Sequence, residues 1–369
     1  METRTKKCDL IIAAGGTGGH LFPAQALSRT LLKEKPECQV TFIAAGLQTS
    51  PYFDRGSFPF LEVKSGTPYG KNPFKIAQNI LNILRGTLKA YLYMKRVKPE
   101  LVIGFGSFHS FPALLAARLL KVPIVLFESN AHPGRVNRFT SRWAQLALIQ
   151  FSKAEEFLRC KCALVHFNRG LEEKIDPEAA RRYFGLAPNH FTFVIIGGSQ
   201  GALRLNQIVA DAMAQLKSRG ASFQLLHLVG KKSSPDLIAS FYHQRGIKAS
   251  VKEFEEKMNY LYSAADLAIC RAGASTISEL IEFELPSILI PFPYGSENHQ
   301  YVNSRVISTE IQGGLTLDEK RLDGSLLERE LLHLMNSSKE ELQEMKKRLK
   351  AWKQKEKKED LCSIILKLI

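Results

Sequence analysis

Acidic side chains are missing from a long stretch of this chain. Between Glu62 and Glu100 there is no Asp or Glu, yet eight basic residues fall there: Lys64, Lys71, Lys75, Arg85, Lys89, Lys95, Arg96 and Lys98. Long apolar runs are also missing. The most apolar candidate, residues 111–127, is broken by Arg118, Lys121 and Pro123 and falls short of the ~20 residues a spanning helix needs. The apolar run near the start, Leu10 to Ala14, ends in glycines and reads as a buried strand, not a signal peptide. The six cysteines form no CxxC pair and no secreted-type framework, so reduced thiols in a cytosol are expected. Cys160-Lys161-Cys162 has no matching His or Cys pair, and neither HExxH nor paired-His spacing occurs, so no metal site is expected. A Walker G-x-x-x-x-G-K-[ST] is absent. The first glycine turn lacks the third glycine of a dinucleotide fingerprint, and the second strand ends Ile43-Ala44-Ala45-Gly46 without an acidic residue for a ribose. No cofactor is implied.

What is present is repetition. Leu10-Ile11-Ile12-Ala13-Ala14 runs into Gly15-Gly16-Thr17-Gly18-Gly19-His20, and Phe193-Val194-Ile195-Ile196 runs into Gly197-Gly198-Ser199-Gln200-Gly201-Ala202. An apolar strand entering a glycine-rich turn that opens a helix presents free N–H groups and a positive dipole end, which attract phosphate or carboxylate. Glycines in such turns also serve packing alone, but two copies half a chain apart point to two similar domains. At 369 residues the chain fits two cores. A net charge of +15 calls for an anionic partner. Neither that stretch nor a second basic run, Lys346 to Lys358, interleaves exposed aromatics in an RNA-binding pattern, so nucleic acid is not expected.

Strands are expected at 8–14, 40–44, 101–105, 124–127 and 146–149, then at 193–196, 224–229, 267–270 and 287–290. Helices are expected at 23–33, 73–95, 112–120 and 205–217. Strand–helix alternation predicts α/β domains with doubly wound parallel sheets, whose ligands lie beyond the C-terminal strand ends. Residues 168–189 read as the crossing between domains. In the segment 73–95, Asn72-Pro73 marks a helix start, and a basic, strongly apolar helix of this kind reads as a contact with an anionic membrane surface, with region 64–98 as its extent. The plainer alternative buries its apolar residues and leaves its lysines solvated.

Both glycine loops, with Pro23 after the first and Leu205-Asn206 after the second, resemble those of the MurG-type UDP-N-acetylglucosamine:lipid I N-acetylglucosaminyltransferases. So does Arg271-Ala272-Gly273-Ala274-Ser275-Thr276-Ile277-Ser278-Glu279-Leu280, and so does 285–294 with Asn298-His299-Gln300 and Asn303. The resemblance covers residues 8–305. It implies a GT-B fold, two Rossmann-like domains facing an inter-domain cleft: residues 1–168 as the acceptor- and membrane-facing domain, residues 169–345 as the UDP-GlcNAc-binding domain, and 346–369 packing back on the first. It implies transfer of GlcNAc from UDP-GlcNAc to the lipid-linked muramyl-pentapeptide acceptor, lipid I, giving lipid II in peptidoglycan synthesis at the cytoplasmic face of the membrane. By motif it places Thr17, Gly18, Gly19 and Asn130 near the transferred sugar, Ser199 and Arg169 on the donor phosphates, Ala274, Ser275, Thr276, Ile277, Ser278 and Glu279 around the nucleotide with Glu279 on the ribose, and Gln300 on the sugar hydroxyls. Departures are His166-Phe167-Asn168 before Arg169, Glu128-Ser129-Asn130, and a 104–110 loop with fewer glycines than usual.

An α-linked donor giving a β-linked product requires a base for the acceptor hydroxyl and charge stabilisation for the departing diphosphate. His20, titrating near neutrality, is the first candidate base; the alternative is that it orients the loop or binds the acceptor's phosphate. Glu128 is the second, or it holds Asn130 in place. Thr276-Ile277-Ser278-Glu279 also spells a T-x-x-E capping box, which would make Glu279 structural. The remaining histidines, His109 and His227 among them, have no ligand spacing and read as local. Rival functions are a UDP-GlcNAc epimerase on the same fold and a non-catalytic module that senses UDP-sugars at the membrane.

Overall fold

The computed structural model describes residues 8–166, 173–198, 201–295, 298–336 and 338–369. Its strands are β1 Cys8–Ala13, β2 Cys38–Ala44, β3 Phe60–Glu62, β4 Leu101–Gly104, β5 Ile124–Glu128, β6 Leu146–Ile149, β7 Lys161–His166, β8 Thr192–Ile196, β9 Gln224–Leu228, β10 Lys248–Lys252, β11 Leu267–Cys270, β12 Ser287–Leu289, β13 Gly314–Thr316 and β14 Glu359–Asp360. They form two sheets, ordered β14-β7-β6-β5-β4-β1-β2-β3 and β10-β9-β8-β11-β12-β13. Each neighbouring pair is parallel. The chain divides into one unit of Met1–Arg169 with Lys358–Ile369 and a second of Gly170–Lys357.

Both sheets carry the doubly wound order. β3-β2-β1-β4 in the first and β10-β9-β8-β11 in the second reverse direction beside their first strand, between β1 and β4 and between β8 and β11. That reversal leaves a crevice at the C-terminal strand ends, and each glycine loop leaves from there. The central strands are apolar throughout because both faces are covered. In β1, Leu10 and Ile12 enter one core with Phe42, Ile103 and Val125, whereas Ile11 and Ala13 enter another with Val102, Leu114 and Ala117. In the second unit Phe193, Ile195, Leu225 and Ile269 pack with Leu205, Val209 and Met213.

Several expectations need correction. The helix expected from Pro23 runs from Gly18 to Glu34, with Pro23 inside it, so Gly18, Gly19 and His20 belong to its first turn. Residues 346–369 do not belong to a single unit. The helix Ser338–Lys355 stays with the second unit, where Lys353 Nζ meets Glu282 Oε1 at 2.7 Å. Only the end returns to the first unit. There β14 pairs with β7, and the helix Leu361–Leu368 puts Leu361, Ile364 and Ile365 into the first core. Cys8 and Cys38, expected as thiols, are register partners on β1 and β2 and are joined as a disulfide.

Candidate functional site

At the end of β1 the chain turns through Gly15 and Gly16 into the helix Gly18–Glu34, capped by Thr17. Gly16 has φ +90°, a left-handed conformation that glycine adopts without strain. A Cβ on Gly15 would lie 2.9 Å from each of Ala44 Cβ, the Ala45 carbonyl and His109 Cβ. Backbone packing therefore excludes a side chain there. Thr17 makes no side-chain cap; its Oγ1 lies 3.2 Å from His20 Nδ1 instead. Thr17 and Gly19 are exposed and His20 is half-buried, with the ring oriented through Nδ1. For Nε2 to accept a proton, Nδ1 must carry the ring hydrogen and donate it to Thr17 Oγ1.

Glu128 ends β5 and is 5% exposed. Its Oε1 accepts from the Asn130 amide (2.9 Å) and Asn130 Nδ2 (3.0 Å). Its Oε2 accepts from the Gly134 amide (3.0 Å) and Asn137 Nδ2 (2.9 Å). Burial raises its pKa, while these four donors pull the other way. A carboxylate with both oxygens engaged twice is an anchor for the 128–137 loop. Of the two readings of Glu128, its geometry supports holding Asn130.

In the second unit, β8 leads through Gly197 and Gly198 (φ +93°), and Gly201 (φ +79°) precedes the helix Leu203–Ser218. Behind this turn lies a buried chain of hydrogen bonds. Asn206 Nδ2 donates to the Val229 carbonyl (2.9 Å) and to Ser233 Oγ (2.8 Å). Asn206 Oδ1 lies 3.3 Å from His227 Nε2, and His227 Nδ1 lies 2.9 Å from the Tyr242 hydroxyl. Burial lowers the pKa of His227 to about 3, so the ring is neutral. With Asn206 Oδ1 as acceptor, the proton sits on Nε2 and Tyr242 donates to Nδ1.

The segment after β11 begins a helix at Ala274, with Gly273 as its N-cap. Thr276 therefore lies inside the first turn, and the expected T-x-x-E capping box does not form. Glu279 Oε2 instead accepts from the Tyr262 hydroxyl at 2.7 Å. Ala274 and Ile277 are buried, whereas Ser275, Thr276, Ser278 and Glu279 are half-buried. Arg271 is locked inside: Nη1 and Nη2 each reach a Glu319 carboxylate oxygen at 2.8 Å, and Nη1 also donates to the Ile290 carbonyl at 3.0 Å. Gln300 Oε1 accepts the Phe292 amide at 2.9 Å, fixing the turn after β12. A cavity of about 240 Å³ lies nearby, its wall formed by Gly201, Ala202, Arg204, Lys232, Phe292 and Lys320 among others.

The first loop, Glu128 and Asn130 all lie at the C-terminal edge of the first sheet; Ala274 to Glu279 and Gln300 lie at that of the second. Ser199 and Arg169 fall outside the described residues. Sequence reasoning missed His109, whose Cβ lies behind Gly15 and whose ring lies behind Gly16, and the Arg271–Glu319 pair. A positive-φ serine two residues before a histidine gives no one-dimensional signal. Among the described residues no three His, Cys, Asp or Glu side chains gather as metal ligands.

Residues 10–149 match the glycosyltransferase family 28 N-terminal domain, and residues 192–362 the glycosyltransferase family 28 C-terminal domain. The chain is 36% identical over 359 residues to the UDP-N-acetylglucosamine–N-acetylmuramyl-(pentapeptide) pyrophosphoryl-undecaprenol N-acetylglucosamine transferase of Protochlamydia amoebophila, covering 96% of this chain and 94% of that one. It is 35% identical over 333 residues to the Chlamydia pneumoniae protein of the same name, covering 90% and 91%. Among solved structures it resembles Acinetobacter baumannii MurG, with a TM-score of 0.76, 27% identity, and coverage of 98% and 99%. A UDP-glucose:anthocyanidin 3-O-glucosyltransferase in complex with UDP shares the fold at a TM-score of 0.68 and 15% identity, covering 98% and 99%.

Proposed function

The chain belongs to glycosyltransferase family 28, and from that premise we propose that it transfers GlcNAc from UDP-GlcNAc to the 4-hydroxyl of N-acetylmuramyl-(pentapeptide) pyrophosphoryl-undecaprenol. The full-length likeness to the Protochlamydia transferase carries this reading.

In the transfer step the acceptor oxygen bonds to the anomeric carbon as the bond from that carbon to the UDP oxygen breaks. The hydroxyl proton passes to His20 Nε2, and the bonding electrons leave with UDP. Thr17 orients His20 through Nδ1, and an imidazole within reach of the hydroxyl suits the task of a general base. Thr17, Gly18, Gly19 and Asn130 border the transferred sugar, the last held by Glu128. In the second unit the exposed amides opening the helix Leu203–Ser218 take up the charge that grows on the diphosphate, with Ser199 and Arg169 as further donors. The segment Ala274 to Glu279 surrounds the nucleotide, with Glu279 on the ribose hydroxyls, and Gln300 faces the sugar.

Membrane attachment is assigned to the helix Pro73–Val97. It buries Ile83, Ala90 and Met94 and leaves Phe74, Leu81, Leu84, Leu88 and Leu92 exposed. These five recur at near-helical spacing, one stripe flanked by Lys75, Arg85 and Lys89, as an interfacial helix requires. Among the described residues no helix is long and apolar enough to cross a membrane. The acceptor's polyprenyl tail would bring the substrate to such a surface, at the cytoplasmic face of the cell membrane.

The deciding assay supplies radiolabelled UDP-GlcNAc with and without a lipid I analogue. UDP release that depends on the analogue is expected. Conversion of the donor without it would instead identify an epimerase, and no turnover in either arm a sensing module.

A further inference from the structure

His109 sits directly behind the first glycine loop. The three atoms nearest to a Cβ built on Gly16 all belong to one pair: His109 Nδ1 at 3.0 Å, Ser107 Oγ at 3.2 Å and His109 Cε1 at 3.4 Å. Two consecutive glycines offer no side chain to fix their own turn, so a wall must come from elsewhere. This wall is itself held. Ser107 adopts φ +72°, a conformation a residue with a Cβ keeps only when its surroundings impose it. Its Oγ accepts the His109 amide at 3.3 Å and lies 2.9 Å from His109 Nδ1. Hydroxyl and ring nitrogen share one hydrogen, given by Oγ–H in one tautomer and by Nδ1–H in the other, and either way the ring is tied to Ser107. The His109 carbonyl takes the Ala45 amide at 3.0 Å, and Glu62 clamps the adjoining turn through the Gly46 amide (2.6 Å) and the Gln48 amide (3.0 Å). Burial lowers the pKa of His109, opposed by the charge of Glu62.

We propose that His109 is a positioning residue for the transfer. Pinned by Ser107, its Cβ backs Gly15 and its ring backs Gly16, and together they set Thr17 and, through it, His20. The inference rests on the reading of His20 as the acceptor-side base. His109 acts through the loop and donates nothing to the acceptor.

The test uses the full chain and the variants Ser107→Ala, His109→Ala, their combination, and His109→Asn, whose side-chain amide can replace Nδ1 as the partner of Ser107 Oγ. Amide hydrogen exchange over residues 14–21 should quicken about tenfold in the first three. Exchange over 203–218 should stay as in the parent, and His109→Asn should restore most of the protection. Turnover should fall about tenfold in each single variant, without additivity in the pair and without change in the KM for UDP-GlcNAc. Unchanged exchange over 14–21 in both single variants overturns the proposal, whatever the activity. A parent chain that releases no UDP in response to lipid acceptor overturns the transferase reading instead, and the exchange result still decides the role of His109.

Discussion

The Tyr262 hydroxyl donates to Glu279 Oε2 at 2.7 Å, tying the helix Met258–Ala264 to the helix Ala274–Phe283. The phenol is 2% exposed, so it presents the carboxylate from inside the fold. If Glu279 binds the ribose hydroxyls, Tyr262→Phe removes one orienting hydrogen bond, worth about 1 kcal/mol. The expected result is a fivefold rise or so in the Kd for UDP-GlcNAc by calorimetry, with a larger rise for Glu279→Ala. Equal affinity in all three proteins would take Glu279 out of the donor site.

His20→Ala should lower turnover by about two orders of magnitude while leaving donor affinity in place. Thr17→Val keeps the shape of the cap residue but removes the hydroxyl 3.2 Å from Nδ1. It should therefore cost less, roughly tenfold. Steady-state kinetics with saturating lipid acceptor distinguishes the two roles. Should Thr17→Val prove as damaging as His20→Ala, the threonine acts on the substrate directly and not by orienting the ring.

For the surface helix, Leu84 and Leu88 are 56% and 60% exposed, so neither supports the core. Leu84→Glu with Leu88→Glu should leave the melting temperature within about 2–4 °C, since each exposed substitution shifts stability by only ~0.5 kcal/mol. The same pair places two anions among the cations Lys75, Arg85 and Lys89 on the proposed attachment surface. Flotation with anionic liposomes should fall severalfold, and binding by the parent chain should weaken as salt rises. Equal flotation by both proteins would reject this helix as the attachment surface.

Much of the fold was legible because central parallel strands are covered on both faces and read as unbroken apolar runs. β1, β4, β5, β6, β8 and β11 all fall within two residues of where those runs stand. The edge strands escaped. β3 and β13 have three residues each and β14 two, while β10 reads Lys248-Ala249-Ser250-Val251-Lys252. Pairing, not local pattern, makes each a strand. Motif spacing located the glycine loops, because a tight turn demands glycine at fixed offsets. It left Glu279 two readings, and the capping box drops out because Gly273 caps the helix. It took Arg271 as part of a donor-facing segment, and only the fold reveals Glu319, 48 residues later, closing on it. The disulfide was equally hidden, since the β1–β2 register alone sets Cys8 opposite Cys38.

His227 gives the second unit a pH dependence whose sign follows from burial. Its folded pKa is lowered to about 3 from 6.5, because the neutral ring is enclosed between Asn206 and Tyr242. The unfolded chain takes up the proton first. The stability this residue contributes is therefore whole above pH 6.5, declines as pH falls below it, and is lost as pH falls through about 3. The slope inside that window is about 1.4 kcal/mol per pH unit for one proton. Urea unfolding of the parent chain followed from pH 7 to pH 4 should show this loss. His227→Gln keeps an amide to meet Asn206 but carries no titrating ring, so its curve should be flatter over the same range despite lower stability at pH 7. Parallel curves for the two proteins would mean that His227 is charged in the fold. Nε2–H would still donate to Asn206 Oδ1, and only the second bond would reverse, with Nδ1–H donating to the Tyr242 oxygen in the protonated ring.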